Sequence, residues 1–382
     1  MTDSYDTIVI GAGLIGLSTA ISEAARGSRV LVVEQDNPGK HASGVNVGGV
    51  RLIGRDPAEF ELSEIAKSLW RAGDGALGNS EFCPNGHLIM AETEAEVVIV
   101  ESRMDQLARA GLGSHARIIT REEIVERIPL VGSTVLAGLF SDSDGMADVS
   151  RTVAAHVENA GELGVELRIG CAVTGLEWTG NGWVVELRTG EVRGTCVVNA
   201  AGAWGSKIAD LAGDKLQLQI EAPIASRTIP VPTFLGPVVQ AIGRKLTLKQ
   251  LGDGHLLVGG GHRATPALNN RTVVVPEEEV AGNLDTVNHF FPNCGSLSVE
   301  HAWAGLEGYT PDRVPYIGRS GRYDSLFHAF GFSGHGFQLA PAVGRTISNL
   351  IDMGAAGADL EPFSPSRFEE KGEAPEDEIL VG

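Results

Sequence analysis

The sequence predicts an α/β protein in which a Rossmann-like nucleotide-binding domain is interrupted by an inserted, β-rich domain. In residues 8–36 a buried strand, a glycine-rich turn, a helix and a second strand follow one another. Near the end of the chain, an apolar strand over residues 326–330 precedes a helix over residues 339–352. Residues 215–261, by contrast, are rich in strand-forming residues and interrupted by prolines. The chain therefore begins and ends with nucleotide-fold elements and carries sheet segments between them.

The turn after the first strand has the residues of a dinucleotide-binding fingerprint. Gly11 permits the tight turn, Gly13 allows a pyrophosphate to approach the backbone, and Gly16 lets the helix pack closely on the strand. The N-terminus of the helix offers unpaired N–H groups to phosphates. Glu34 ends the second strand and is placed to accept hydrogen bonds from the hydroxyls of a ribose. The sequence therefore predicts that the chain binds a dinucleotide.

The composition limits the classes of molecule that the chain is expected to bind. A chain of 382 residues is long enough for two domains, and its net charge of −19 argues against binding to nucleic acid or to anionic membranes. The four cysteines are scattered without the spacing of a metal site, and no apolar run is long enough to span a membrane. Because the chain passes directly into its first strand, we expect no signal peptide. The scattered cysteines also lead us to expect no metal and a cytoplasmic location.

Three further stretches extend the nucleotide-fold pattern. Residues 197–205 (VVNAAGAWG) form a second strand–glycine–helix turn, in which Gly202 allows a close backbone approach. Residues 301–318 (HAWAGLEGYTPDRVPYIG) predict a strand followed by a proline-bracketed turn. Residues 331–344 (GFSGHGFQLAPAVG) place glycines before a helix whose first turn carries Pro341. The N-terminus of that helix would supply N–H donors and a partial positive charge.

Together with the loop over residues 43–51 and the closing PFSPSRF at residues 362–368, these stretches resemble the D-amino-acid oxidase, glycine oxidase and sarcosine oxidase superfamily of FAD enzymes. The resemblance covers nearly the whole chain. It implies an FAD domain of the glutathione-reductase type and an α+β substrate domain with an antiparallel sheet over the flavin. It also implies oxidation of an amine C–N bond by hydride transfer to flavin N5.

The resemblance suggests a division of the chain into two domains and a tail. We expect a discontinuous FAD-binding domain from residues 1–80, 145–214 and 318–365. The substrate domain would comprise residues 81–144 and 215–317, and residues 366–382 would form an acidic tail.

The resemblance also assigns residues to the site. It places Arg51 beside the flavin, makes Lys249 a candidate charge in the substrate pocket, and lets His335 hydrogen-bond the flavin edge or the substrate. We therefore take Arg51, Lys249 and His335 as the catalytic candidates. The candidate cofactor-binding residues are Gly11, Gly13, Leu14, Ile15, Gly16, Glu34, Gln35, Ser43, Asn46, Gly48, Gly49, Val173, Ala200, Ala201, Gly202, Trp204, Gly305, Gly331, Gly334, His335, Gly336 and Phe337.

Two departures from the family pattern bear on cofactor attachment and on the substrate. Family members that bind flavin covalently use a histidine of the loop that follows the second strand, or a cysteine in the C-terminal part of the site. His41 lies too early in its loop and no cysteine occurs from residue 295 onward, so we expect non-covalent FAD. Several amino-acid-oxidising members have a carboxylate-binding arginine at the position of Glu307. If the substrate carries a carboxylate here, Arg51 or Arg55 must help to bind it.

A third departure bears on the electron acceptor. Sarcosine-type oxidases carry an oxygen-activating lysine on a strand of the substrate sheet, and alignment puts residues 257–259 at that position. Lys249 is near in sequence but belongs to a different part of the same hairpin. The absence of a lysine at residues 257–259 favours a dehydrogenase that passes electrons to an acceptor other than dioxygen.

Four functions remain open at the level of sequence. The first is an FAD-dependent dehydrogenase for a proline-, sarcosine- or opine-like substrate, and the second is an oxidase of the same substrates that makes hydrogen peroxide. The third is a dehydrogenase for a 2-hydroxy acid or a glycerol phosphate. In the fourth, the chain is the FAD subunit of a heteromeric dehydrogenase. A homo-oligomer is also possible, and the electron acceptor is unknown.

Overall fold

The computed structural model describes residues 4–73, 82–267 and 271–368. The helices are α1 (Leu14–Ala24), α2 (Ala42–Val45), α3 (Phe60–Ala72), α4 (Glu94–Arg109), α5 (Arg121–Arg127), α6 (Val149–Glu162), α7 (Gly205–Leu211), α8 (Glu277–Phe290) and α9 (Gly336–Met353). The strands are β1 (Ser4–Ile10), β2 (Val30–Val33), β3 (Gly49–Val50), β4 (His87–Ala91), β5 (Arg117–Thr120), β6 (Ala137–Ser141), β7 (Gly145–Met146), β8 (Glu166–Arg168), β9 (Val173–Trp178), β10 (Trp183–Leu187), β11 (Gly190–Asn199), β12 (Gln219–Glu221), β13 (Ile224–Thr228), β14 (Val238–Ala241), β15 (Thr247–Gln250), β16 (Leu256–Gly259), β17 (Thr265–Ala267), β18 (Thr272–Val274), β19 (Val299–Ala304), β20 (Glu307–Tyr309), β21 (Tyr316–Arg319) and β22 (Leu326–Phe330).

The first sheet runs in the order β21-β22-β11-β1-β2-β8, and β10 and β9 extend it from β11. Strands β22, β11, β1, β2 and β8 are parallel. Every residue of β2 is buried, which is typical of a parallel strand covered on both faces. Helices α1 and α9 pack against each other beside this sheet. A Cβ on Gly344 would lie within 2.5 Å of Ser18 Cβ, so the glycine allows the two helices to approach closely.

The second sheet runs in the order β19-β13-β16-β15-β14-β4-β6-β5. Its two faces differ, because side chains alternate along each strand. One face is apolar and packs against Val287 and Phe290 of α8. The other face carries the buried polar side chains of His87, Gln240 and Lys249. The pairing of β14 with β4 is parallel, so the sheet is mixed rather than purely antiparallel.

Most predicted elements are confirmed, and α5 begins with a capping box in which Thr120 and Glu123 bond each other's backbone. Two local predictions were wrong. The sequence pattern over residues 38–49 predicts neither helix nor strand, but this stretch contains the one-turn helix α2. Helix α9 begins at Gly336, three residues before the predicted start at residue 339, so Pro341 lies beyond its first turn.

The domain ranges stay a prediction. In the structure, strand β21 begins at Tyr316 and belongs to the first sheet, ahead of the boundary placed at residue 318. Most of the predicted acidic tail, residues 369–382, lies outside the described residues. Within the described part of the chain, none of the helices combines the length and the hydropathy needed to cross a bilayer.

Candidate functional site

A deep cleft opens where the parallel strands of the first sheet end. The residues that follow β1, β2, β11 and β22 all line it, and it encloses about 1360 Å³ of empty space, part of it open to solvent. Carboxyl ends of parallel strands are where α/β proteins bind their ligands, because the loops there diverge. The location of the cleft follows directly from the strand order.

The turn after β1 is held open by glycine. Gly11 has a φ of +108°, and a Cβ on it would lie 2.5 Å from the carbonyl oxygen of Ala200. A Cβ on Gly13 would lie 3.0 Å from Ser43 Oγ. That Oγ accepts a hydrogen bond from the N–H of Leu14 at 2.9 Å. The early loop is therefore bonded to the start of α1, and one of the N–H donors predicted to face phosphates is already in use.

Glu34 lies at the end of the cleft beyond β2. Its Oε2 accepts the N–H of Ala12 at 2.8 Å, and its Oε1 accepts the N–H of Asp36 at 2.7 Å. Burial raises the pKa of Glu34, and the two backbone hydrogen bonds oppose that rise. Since each carboxylate oxygen can accept a second hydrogen bond, Glu34 can still receive the hydroxyls of a ribose.

Most of the predicted cofactor residues line this cleft, although their contacts with a cofactor stay a prediction. Those at the lining are Gly11, Gly13, Ile15, Glu34, Gln35, Ser43, Asn46, Val173, Ala200, Ala201, Gly202, Trp204, Gly331, Gly334, Gly336 and Phe337. The predicted residues that are not at the lining are Leu14, Gly16, Gly48, Gly49, Gly305 and His335. Gly16 packs against the carbonyl of Gly11, and Gly305 packs against Val45, so both act through close backbone packing.

Several lining residues were missed at the level of sequence. His41 lines the cleft and its ring lies 4.7 Å from that of Trp204, centroid to centroid. Burial lowers the pKa of His41, and its hydrogen bond with Asp36 opposes this. Some of the missed residues lie in the connections between the motifs, and others, such as Ala203 and Phe332, lie within a motif and were not selected. The other missed residues are Asn37, Gly39, Lys40, Ala42, Cys171, Ala172, Ala203, Lys207, Ile208, Leu306, Glu307, Gly308, Ala329 and Phe332, together with the strand-end residues Ile10 and Val33.

Glu307 occupies a position at the far end of the cleft from Glu34. Its Oε1 accepts the N–H of Gly334 at 2.8 Å, and its Oε2 lies 3.4 Å from the hydroxyl of Tyr309. Burial raises the pKa of Glu307, while the N–H of Gly334 opposes the rise. The backbone N–H of Gly334, in the loop before α9, is thus already bonded to the Glu307 carboxylate of the chain itself.

His335 does not face the cleft, although its neighbours Gly334 and Gly336 do. Its Nδ1 lies 2.7 Å from Glu59 Oε2, and both side chains are largely or fully buried. Burial lowers the pKa of His335 to about 4 and outweighs the attraction of Glu59. The ring is therefore neutral near pH 7, and its direct contact is with Glu59.

Arg51 is buried and does not line the cleft. Its Nη1 donates to the carbonyl of Ile53 at 2.8 Å, and Arg55 Nε donates to Gln338 Oε1 at 3.1 Å. Burial, and then the charges of Arg55 and Arg103, lower the pKa of Arg51 well below its ordinary value. The structure thus places Arg51 near two other cations, and the carboxylates of Glu59 and Asp144 oppose their effect on its pKa.

Lys249, the candidate for a charge in the substrate pocket, lies close to the loop over residues 43–51. It is 3% exposed, and its Nζ lies 3.0 Å from where a Cβ on Gly48 would stand. The N–H of Gly48 donates to Asn46 Oδ1 at 2.7 Å, and Asn46 lines the cleft. Burial lowers the pKa of Lys249 to about 8, with Asp148 opposing. Lys249 pairs across the hairpin with Leu257, the first of the three residues 257–259 that alignment places at the lysine position.

Parallel strands whose carboxyl ends open on such a cleft define a dinucleotide-binding protein of the α/β class. More particularly, the chain belongs to the DAO family, the FAD dependent oxidoreductases, whose model matches residues 6–350. It is therefore an FAD-dependent oxidoreductase.

Relatives extend over the full chain. Glycine oxidase of Geobacillus kaustophilus (strain HTA426) is 25% identical over 385 residues, covering 96% of this chain and 98% of that protein. One of the subunits of the opine oxidase of Rhizobium meliloti is 25% identical over 375 residues, with coverages of 95% and 98%. Among solved structures, L-proline dehydrogenase from P. horikoshii superposes with a TM-score of 0.90 at 28% identity, covering 98% of this chain and 100% of that chain.

The cleft fits FAD on the chain's own geometry. Glu34 offers acceptors for a ribose at one end, and glycines keep the backbone accessible where a pyrophosphate must approach. Gly334 and Phe337 also line the cleft, at the loop before α9 and in its first turn. Glu34 and the turn after β1 would hold the ADP portion, and the part of the cleft that contains Gly334 would hold the ring portion.

Replacing Glu34 by alanine is expected to weaken FAD binding about 10- to 100-fold. This corresponds to the loss of about 1.5–3 kcal/mol from hydrogen bonds to a charged acceptor. The rate of flavin reduction in the FAD-saturated enzyme should change little, because Glu34 lies at the end remote from the ring. Titration of the apoprotein with FAD measures the effect, and Glu177→Ala on the exposed face of β9 is the control. Unchanged affinity in Glu34→Ala would show that Glu34 does not bind the ribose.

Proposed function

We propose that the chain oxidises the C–N bond of an amino acid or secondary amine to an imine, with a proline-, sarcosine- or opine-like compound as substrate. The observation that carries this proposal is the pair of buried arginines, Arg51 and Arg55, of which Arg55 donates to Gln338, the residue after Phe337 of the cleft lining. A planar guanidinium matches the geometry of a carboxylate, and an amino acid brings a carboxylate next to its amine. The likeness to glycine oxidase, to an opine oxidase and to L-proline dehydrogenase supports the same substrate class.

Each part of the site has a task in this reaction. Bound FAD supplies the acceptor for the hydride that leaves the substrate carbon. Arg51 and Arg55 bind the substrate carboxylate and so orient the neighbouring carbon. The polar face of the second sheet, with Lys249, covers the substrate on the other side and excludes water. The substrate amine must be neutral when the hydride leaves, because its lone pair stabilises the developing imine.

Two electron acceptors are candidates. An acceptor other than dioxygen is the sequence-based preference, and the similarity to L-proline dehydrogenase supports it. The preference for another acceptor depended on the absence of a lysine. The position of Lys249 removes that reason, because this buried lysine lies close to Gly48 in the loop over residues 43–51. An ammonium there would stabilise the negative charge that dioxygen gains on reduction. The geometry therefore favours an oxidase that produces hydrogen peroxide.

Anaerobic mixing of the FAD-loaded protein with a panel of compounds tests the proposed substrate class. We expect amino acids and secondary amines to bleach the flavin absorbance, and 2-hydroxy acids and glycerol phosphate to leave it unchanged. Bleaching by hydroxy acids alone would overturn the proposal.

Because the opine oxidase relative is, according to its name, one of the subunits of its enzyme, the proposal extends to association with a second chain or a second copy. Light scattering and co-purification from the native source test that part.

A further inference from the structure

Glu307 brings a carboxylate to the loop that precedes α9. It is the first residue of β20, and the carbonyl of the next residue, Gly308, accepts the N–H of Ser333 at 3.2 Å. The side chain of Glu307 accepts the N–H of Gly334 at 2.8 Å. Glu307, Gly308 and Gly334 all line the cleft. Backbone and side-chain bonds together therefore fix a carboxylate in the part of the cleft that would hold the flavin ring.

The contacts of Glu307 favour its charged form. Besides the N–H of Gly334, the hydroxyl of Tyr309 lies 3.4 Å from Oε2, and Arg263 Nη2 donates to that hydroxyl at 3.4 Å. Burial raises the pKa of Glu307 and the charge of Glu221 adds to the rise, while the N–H of Gly334, Arg263 and Tyr309 oppose it. Donors directed at a carboxylate stabilise its ionised form. We therefore take Glu307 as an anion near pH 7.

The positive charges nearest to Glu307 lie outside the cleft. Arg263 Nε bonds to Glu221 Oε2 at 2.5 Å, and Arg313 Nη1 lies 3.3 Å from Glu221 Oε1. Among the described residues, neither arginine forms an ion pair with Glu307, and neither lines the cleft. Their side chains are 35% and 43% exposed, so that water and salt screen them. The two arginines balance the two glutamates, but the negative end of this group faces the cleft.

The other charged or titratable residues of the cleft lining belong to other segments. Glu34, Lys40 and His41 lie in the connection after β2, and Lys207 is exposed on α7. In the described part of the chain, Glu307 is thus the charged lining residue that is bonded to the loop before α9. The N-terminus of α9 carries a partial positive charge, and the carboxylate of Glu307 offsets it.

We propose that Glu307 holds a negative charge beside the flavin ring and thereby lowers the reduction potential of the bound FAD. Reduction by two electrons adds negative charge to the ring, and a nearby carboxylate opposes that charge by Coulomb repulsion. The same repulsion weakens the binding of anions to the ring, and it makes the reduced enzyme a stronger reductant towards its electron acceptor. The inference rests on the assignment of the ring portion to the part of the cleft that contains Gly334, and it does not depend on the substrate.

Glu307→Gln and Glu307→Asp separate the charge of Glu307 from its hydrogen bond. The glutamine amide can still accept the N–H of Gly334 but carries no charge, whereas the shorter aspartate keeps the charge and loses the reach. Reduction of the FAD-loaded proteins by dithionite beside a reference dye measures the reduction potential. Titration with sulfite, an anion that adds to flavin N5, measures the affinity of the ring for negative charge. Neither measurement requires a substrate.

We expect Glu307→Gln to shift the equilibrium towards reduced flavin about 10- to 100-fold, which is a rise of about 30–60 mV for a two-electron couple. Sulfite should bind more tightly by a similar factor, and Glu307→Asp should stay near the wild type. Asp324→Asn, at a position that is 98% exposed ahead of β22, is the control for the loss of a surface charge.

Two results would overturn the inference. One is an unchanged potential and sulfite affinity in Glu307→Gln, or a shift of equal size in Glu307→Asp. The other is loss of FAD from Glu307→Gln, because the hydrogen bond to Gly334 would then matter for the structure and the charge would not be the reason. If no amine reduces the flavin, the proposed function fails, while these substrate-free measurements still decide the role of Glu307.

Discussion

Replacing Lys249 by methionine is expected to slow the reaction of the reduced enzyme with dioxygen by about 10²- to 10³-fold. This is the usual loss when one preorganised group that stabilises developing negative charge is removed. Methionine preserves most of the volume of the buried side chain, so the fold should be kept. Anaerobic reduction of the flavin by substrate should change far less. Stopped-flow mixing of the reduced protein with air-saturated buffer measures the rate.

The same reaction should depend on pH. Burial lowers the pKa of Lys249 to about 8, so the ammonium is present below that pH and is lost above it. The rate of reoxidation should therefore fall as pH rises through about 8 in the wild type, and Lys249→Met should lack this step. Lys245→Met, at an exposed position before β15, is the control. Slow reoxidation of the wild type together with fast reduction of an artificial dye would instead identify an acceptor other than dioxygen.

Replacing Gly11 by alanine is expected to abolish stable FAD binding. The new Cβ would lie 2.5 Å from the carbonyl oxygen of Ala200 and 3.0 Å from its carbon, so the ends of β1 and β11 must separate. Those two ends form the floor of the cleft. The φ of +108° adds backbone strain, because side chains disfavour that region. We expect the purified variant to contain little flavin and to bind added FAD more than about 100-fold more weakly. This loss of affinity is of the order expected for a large steric disruption.

Gly27→Ala is the matched control for this effect. Gly27 has a φ of +95°, but nothing lies within 4 Å of its would-be Cβ. The substitution should cost about 1–2 kcal/mol of stability through strain alone and should leave FAD binding intact. Thermal melting and the ratio of flavin to protein absorbance distinguish the two variants. Comparable loss of flavin in both would show that backbone strain, and not the contact with Ala200, controls the cleft.

The nucleotide fold could be predicted from sequence because its signals are local. The turn from Gly11 to Gly16, the strand that ends at Glu34 and the second turn at Gly202 each combine a strand, glycines and a helix within a few residues. Such patterns depend on backbone conformation and on hydrophobic period, which neighbouring residues set. The family model matches residues 6–350, a range that includes these stretches.

The position of Lys249 could not be predicted in this way, because it depends on strand pairing. Lys249 and Leu257 are partners across the β15–β16 hairpin and share one face of the sheet. An alignment of sequences does not show whether the side chain of Lys249 or that of Leu257 lies close to Gly48. A lysine and a leucine at those positions are equally compatible with a strand.

By itself, the sequence determined that this protein binds a dinucleotide through an α/β domain, since that property resides in short stretches whose geometry is local. The tertiary structure alone decided which charged side chains come together. Arg51 and Arg103 come together only after α4 packs beside the loop at Gly54, and His335 is directed at Glu59 only after α9 docks against the start of α3. Electrostatic interactions of this kind depend on distance through space, and residues far apart in sequence acquire that distance only on folding.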